Sequence, residues 1–211
     1  MTEEIEEQDR FRQGRTGGCL GSGLRAISGL RSVSGIIMRH LIKASFAMLL
    51  LASPALADTI TVKMAKATQN GTGTAVGTVT IANSDKGAAF TVDLKGLSPG
   101  PHGFHVHEDG SCGPTMLMGI LIPAGAAGQI WDPDKVGKHL GPAGDGDRGD
   151  LPLLTITADG TDTETVTAPH IKDINDLKGR ALVIMIGGDN YKDEPLLNGG
   201  GGGRVACGVI R

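Results

Sequence analysis

Between residues 60 and 210 the chain repeatedly alternates apolar and polar positions in short runs. In 60–68, Ile60, Val62 and Met64 fall on one side and Thr61, Lys63 and Ala65 on the other. That is the period-two pattern of a strand with one buried face. Residues 74–82 and 88–94 read the same way, with Asn70-Gly71 and Asp85-Lys86-Gly87 as turn signals between the runs. Residues 103–108, 153–158, 161–168, 181–186 and 204–210 complete a set of eight predicted strands. The one helical candidate, 173–178, is short. Short strands with regular turn signals predict an all-β domain, a sandwich or a Greek-key barrel. Two long loops break the rhythm. Residues 110–151 hold Cys112, Trp131, His139 and several aspartates, and 187–203 end in five consecutive glycines. Loops of that length are commonly functional.

The N-terminal quarter does not share this pattern. Residues 38–57 run MRHLIKASFAMLLLASPALA: a basic start at Arg39, His40 and Lys43, an apolar stretch from 44 to 52, and Ala55-Leu56-Ala57 before Asp58. These are the three regions of a secretory signal peptide, a buried helix being the alternative. The apolar stretch falls short of the ~18 residues of a membrane span. Residues 1–37 carry Glu3, Glu4, Glu6, Glu7 and Asp9, then a mixture of Arg, Gly and Ser that cannot build a core. Met38 is therefore expected to be the true translation start and 1–37 a spurious or disordered extension, a real extension being the other reading. The mature domain is expected to be 58–211, in the periplasm or secreted after cleavage near Ala57-Asp58.

Charge then narrows the partners. Residues 1–57 hold seven of the 20 Lys/Arg and five of the 23 Asp/Glu, which leaves 58–211 near −5. An acidic domain is no nucleic-acid binder, which needs an excess of cations to meet phosphates. The 34 glycines lack the period of three that marks collagen. Cleavage removes Cys19 and leaves Cys112 and Cys207. An oxidising compartment favours one disulfide over two free thiols.

His105-Val106-His107 lies on a predicted strand, so both imidazoles share a face and can converge on one metal. By itself His-x-His is a weak signal, and two polar residues on a strand are the plain alternative. The flanks add to it. GFHVHEDGSCGP, WDPDKVGKHLGP, GDLP, ALVIMIGGDN and GGGGGRVACGVI occur in that order, and together they resemble the copper/zinc superoxide dismutases in their bacterial periplasmic form. The resemblance covers about 60–211. It implies an eight-stranded Greek-key β-barrel of immunoglobulin-like sandwich type with two long functional loops. It also implies a disulfide between Cys112 and Cys207, superoxide as substrate, copper and zinc as cofactors, and often a homodimer.

Residue by residue, the resemblance is uneven. His105 and His107 match two copper ligands. The histidine that bridges copper and zinc falls at Ile130, and the last copper histidine at Met185. His139 matches a zinc ligand, Asp147 replaces the next zinc histidine, and Asp150 matches the zinc aspartate. Asp189 matches the carboxylate that links the two metal sites, and Arg204 the arginine that guides superoxide to copper. With Met185 unable to donate a hydrogen bond, half of the Asp189 role is expected to be lost. His102 and His170 match no ligand and read as structural or exposed.

Three substituted ligand positions change the expected chemistry. Dismutation cycles Cu(II) and Cu(I), and isoleucine neither ligates nor carries a proton. A thioether from Met185 is a soft donor that favours Cu(I), although a methionine in an apolar strand is ordinarily core filling. Met116 and Met118 stand as further soft donors or as packing under the loop. If each change costs about 3 kcal/mol, the rate falls by about four powers of ten. At the zinc position, His139, Asp147 and Asp150 are three possible donors. A solvated acidic loop without metal is the competing reading, and the loss of the bridge favours it. The sequence thus points to a catalytically impaired dismutase-like protein with weak or Cu(I)-selective copper, and alternatively to a non-catalytic Cu(I)-binding or scaffold protein.

Overall fold

The computed structural model describes residues 58–211. The signal-peptide and extension readings of 1–57 lie outside the described residues.

The alternation in the first run becomes β1 (Thr59–Thr68), whose side chains alternate exposed and buried until Met64. β1 pairs antiparallel with β2 (Gly71–Ser84), setting Val62 opposite Val79 and Ile60 opposite Ile81, so both strands turn their apolar faces the same way. β2 then pairs with β3 (Gly87–Lys95). At Gly77 the backbone takes φ +134°, and a Cβ there would lie 1.9 Å from the Asp93 carbonyl oxygen, so this crossing requires glycine.

The next strand is interrupted at Gly103, giving β4 (Gly100–His102) and β5 (Phe104–His107). A two-stranded ribbon, β6 (Thr115–Leu117) with β7 (Ile120–Ile122), follows inside the first long loop. β8 (Leu154–Ile156) pairs with β4. The predicted strand 161–168 is broken into β9 (Thr161–Asp162) and β10 (Thr165–Ala168), both on β3. β11 (Ala181–Met185) and β12 (Arg204–Val209) complete the set. The helical candidate is a 3-10 turn, Ile174–Leu177, capped by the Asp173 side chain.

Spatial order in the main sheet is β10-β3-β2-β1-β12-β11-β5, with β9 also on β3. The chain leaves β3 at one end of this order and re-enters at the other, the Greek-key crossover. Its last strand, β12, lies between β1 and β11. The eight strands expected from the sequence are present, and the fold is all-β.

Inside the curl, Val62, Met64, Val79, Ile81, Phe90, Phe104, Val106, Leu182 and Ile184 pack together. Phe90 and Phe104 meet edge to face with ring centroids 5.9 Å apart. All five residues of β11 are buried because both of its faces are covered. Leu182 and Ile184 belong to the inner core, whereas Ala181, Val183 and Met185 pack outward with Cys207, Ala124 and Ala127. Cys112 is bonded to Cys207 and fastens the first long loop over this outer face. β5 pairs with β11 so that His105 lies opposite Val183 and His107 opposite Ala181. Both histidines therefore share the outer, loop-covered face, while Phe104 and Val106 point inward.

Candidate metal centre

Residues from β5, β11 and both long loops form the site. His105 and His107 are 1% and 3% exposed. The Nε2 of His105 donates to Asp189 Oδ2 at 2.9 Å, and the Nδ1 of His107 donates to the Gly128 carbonyl at 3.0 Å. Each bond places the proton on one ring nitrogen and leaves the other as a lone-pair donor. The remaining atoms, His105 Nδ1 and His107 Nε2, are buried without a hydrogen-bond partner. Two orphaned imidazole nitrogens on one strand face fit a metal ion better than a satisfied core. Burial and the nearby Arg204 guanidinium push His107 down to about 3, so its ring is neutral and able to ligate at ordinary pH.

Met185 is beside this pair. A Cβ on Gly103 would lie 3.2 Å from both His105 Cε1 and Met185 Cγ, so the absent side chain lets the methionine approach the imidazole. On the other side, Gly201 leaves room for the Met185 stem. Met185 thus packs in the smaller outer apolar cluster with Val183, Cys207 and Ala127, next to the imidazole and not in the inner core. His102 fixes its position: the buried ring donates from Nδ1 to the Met185 carbonyl at 2.5 Å, and its Nε2 lies 2.8 Å from the Ser98 carbonyl oxygen. Its structural role is as expected, but its partner could not be read from sequence. Met116 and Met118, 61% and 95% exposed on the β6–β7 ribbon, neither pack under the loop nor add a buried donor.

Asp189 joins this set to a second one. It accepts from His105 Nε2, from His139 Nε2 at 2.7 Å and from the Tyr191 amide at 2.7 Å. The expected loss of half of this linkage does not occur, since both histidines donate to the carboxylate and its partner in the first set is His105, not residue 185. Burial alone would raise the Asp189 carboxyl, but the hydrogen bonds from His105, His139 and Tyr191 hold it far below the usual carboxylate range. A Cβ on Gly199 would stand 1.9 Å from Asp189 Oδ1, so that glycine makes the approach possible.

His139 donates from Nδ1 to Asp150 Oδ1 at 2.7 Å, and the other oxygen of Asp150 accepts from the Gly141 amide. Burial opposes a charge on His139, yet Asp150 and Asp189 raise it to about 10. Donor atoms of His139, Asp147 and Asp150 lie within 4.8 Å of one another. His139 and Asp150 are 1% and 2% exposed, and Asp147 Oδ1 is buried without a partner. Burial of this kind does not belong to the solvated acidic loop that the sequence allowed, and the set fits a divalent ion. Burial and repulsion from Asp150 and Asp132 push Asp147 up to about 6, against the smaller opposing pull of His139.

Ile130 lies where the two sets meet. Its backbone bridges that of His107, and it lines a cleft with His139 and Asp147. Arg204 is half-buried and locked by donating to the Ala124 and Gly128 carbonyls, both at 2.7 Å. Gly128 therefore anchors Arg204 and His107 through one oxygen.

A Greek-key barrel with a histidine–carboxylate cluster under a disulfide-fastened loop on its outer wall defines the class. Comparison with known proteins is specific within it. The model of the family "Copper/zinc superoxide dismutase (SODC)" matches residues 75–210. The Cu-Zn superoxide dismutase of Brucella melitensis is 51% identical over 174 residues, covering 82% of this chain and 99% of that one. Among solved structures, Cu/Zn superoxide dismutase from Brucella abortus superimposes with a TM-score of 0.72 at 51% identity, over 73% of this chain and 100% of that one. The monomeric copper, zinc superoxide dismutase from Salmonella enterica gives 0.66 at 48% identity, over 73% and 100%. The chain belongs to the copper/zinc superoxide dismutase family.

Proposed function

We propose that this protein is a periplasmic or secreted dismutase-like metalloprotein in which the reaction of superoxide to oxygen and hydrogen peroxide is impaired. The two unpartnered nitrogens, His105 Nδ1 and His107 Nε2, carry the reading. They would hold copper with the Met185 thioether, a soft set that favours Cu(I). Copper bound there supplies the one-electron redox chemistry that superoxide dismutation requires. The chain's own residues supply the rest. Asp189 orients His105, the Gly128 carbonyl orients His107, and the Arg204 cation attracts the superoxide anion. His139, Asp147 and Asp150 would hold zinc. Ile130 places an apolar side chain at the junction, so no imidazole joins the two sets or carries a proton between metal and substrate. Export rests on the signal-peptide character of 38–57, with cleavage near Ala57-Asp58.

The second reading is a non-catalytic Cu(I)-binding or scaffold protein. The way Gly103 and Gly201 make room for Met185 favours it, because a thioether stabilises the reduced ion and stalls the cycle. Purified protein loaded with copper and zinc separates the two. Dismutation about four powers of ten below that of a full-ligand relative, with copper bound as Cu(I), supports impairment. Substantial activity at one copper per chain refutes it. The triple reversion Ile130→His, Met185→His, Asp147→His is expected to raise both metal content and rate, and if it raises neither, the assignment of these positions is wrong.

A further inference from the structure

Ile130 lines a cleft of about 350 Å³ that also reaches His139 and Asp147. That is room for on the order of ten waters. His139, Asp147 and Asp150 offer three donors. Tetrahedral zinc takes four; sites whose role is structural are closed by a fourth protein ligand, and sites with three keep a position for an outside ligand. Ile130, at the position where the family resemblance puts the bridging histidine, lines the cleft. The lining also has a definite electrostatic character. Asp132, Asp147 and Asp193 line the cleft with Gln129 and Asn198; among the described residues no lysine or arginine lines it, so once His139 gives up its proton to a metal no side-chain cation remains in the lining. The Oδ1 atoms of Asp132 and Asp147 are both buried and unpartnered. Such a mouth repels anions and admits neutral bases.

We propose that the zinc position of this chain is open: a metal held by His139, Asp147 and Asp150 keeps its fourth place toward the Ile130 cleft and takes there a small neutral nitrogen base, of which imidazole is the simplest, in preference to an anion. The inference rests on the reading of these three residues as metal-holding. Holding the metal would release to solvent the His139 Nδ1 proton that Asp150 now accepts. Binding the base would then be ligand exchange alone: a water on the metal would leave and one neutral nitrogen lone pair would take its place.

Cobalt(II) tests it, because its visible spectrum reports coordination without any assay of activity. One equivalent of Co(II) is added to the metal-free protein and the spectrum is followed during titration with imidazole and, separately, with azide. The expected result is a saturable change with imidazole in the millimolar range, with azide needing at least tenfold more. Ile130→His supplies its own imidazole and is expected to abolish the response. Ile130→Val keeps an apolar wall and is expected to retain it, and near-ultraviolet circular dichroism of both variants checks folding. His139→Ala must remove the responding spectrum. A His139-dependent spectrum that imidazole leaves unchanged overturns the open position but not the metal reading. Equal or stronger response to azide overturns the ligand class. Absence of any His139-dependent cobalt spectrum overturns the metal reading itself, and a response that survives in His139→Ala assigns the ligand to the other metal position and also refutes the proposal.

Discussion

Replacing Asp189 by asparagine tests the junction of the two clusters without requiring any metal. The carboxylate accepts from His105 Nε2, His139 Nε2 and the Tyr191 amide at 2.9, 2.7 and 2.7 Å, and its side chain is fully buried. Asparagine presents one acceptor and one donor, so at least one imidazole N–H then faces another N–H. The negative charge that raises His139 and completes a buried ion pair is also lost. Hydrogen bonds to charged groups are worth about 1.5–3 kcal/mol each, and removing one partner of a buried pair costs about 3–5 kcal/mol. A loss of about 4 kcal/mol in the metal-free protein is expected. For a domain of this size that lowers Tm by about 10 °C. Thermal unfolding followed by circular dichroism at pH 7 measures it, with the exposed Asp145→Asn as control, expected within about 0.5 kcal/mol of wild type. A Tm drop below about 3 °C for Asp189→Asn would refute the view that this carboxylate ties the clusters together.

Other expectations follow from neighbouring features. The Cys112–Cys207 bridge closes 95 residues; chain-entropy reasoning gives about 4–5 kcal/mol, so the double serine variant should unfold at much lower urea in equilibrium titrations. Gly199→Ala would push a methyl against Asp189 Oδ1 from a left-handed backbone, and should cost about 3 kcal/mol by the same titrations. In metal-free protein the raised His139 makes its contribution fully present below pH ~6.5 and lost as pH rises through about 10. Asp147, raised to about 6, acts in the same direction at lower pH: its contribution is present below pH ~4 and lost by about 6. Asp147→Asn should flatten that lower segment and leave the alkaline one, as read from stability measured between pH 4 and 11.

Period-two alternation made strands such as β1 and β3 legible, because each buries one face against the core, whereas β5 and β11, buried on both faces, were legible as short runs between turn signals. Where that logic ends, so does the reading. The β6–β7 ribbon, Thr115–Leu117 and Ile120–Ile122, is apolar on residues that stay exposed, so no alternation marks it. His105-Val106-His107 was legible as a same-face pair, since strand geometry alone sets that. That His105 is a partner of Asp189 was not, because it depends on how the second long loop folds back over β5. His102 was invisible for the same reason: its bond to the Met185 carbonyl joins residues 83 positions apart. The cleft beside Ile130 depends on loop placement and leaves no local signature.

The place of β12 between β1 and β11 sets a timetable for assembly. β12 fills the centre of the sheet although it follows every other strand described, so β1 and β11 stay apart until it arrives, and Cys112 must wait for a Cys207 that comes 95 residues later. A product truncated before residue 204 lacks the middle strand, the locking thiol and the arginine together. Such a chain is left with the β1 and β11 edges unpaired, the kind of open edge that recruits foreign strands.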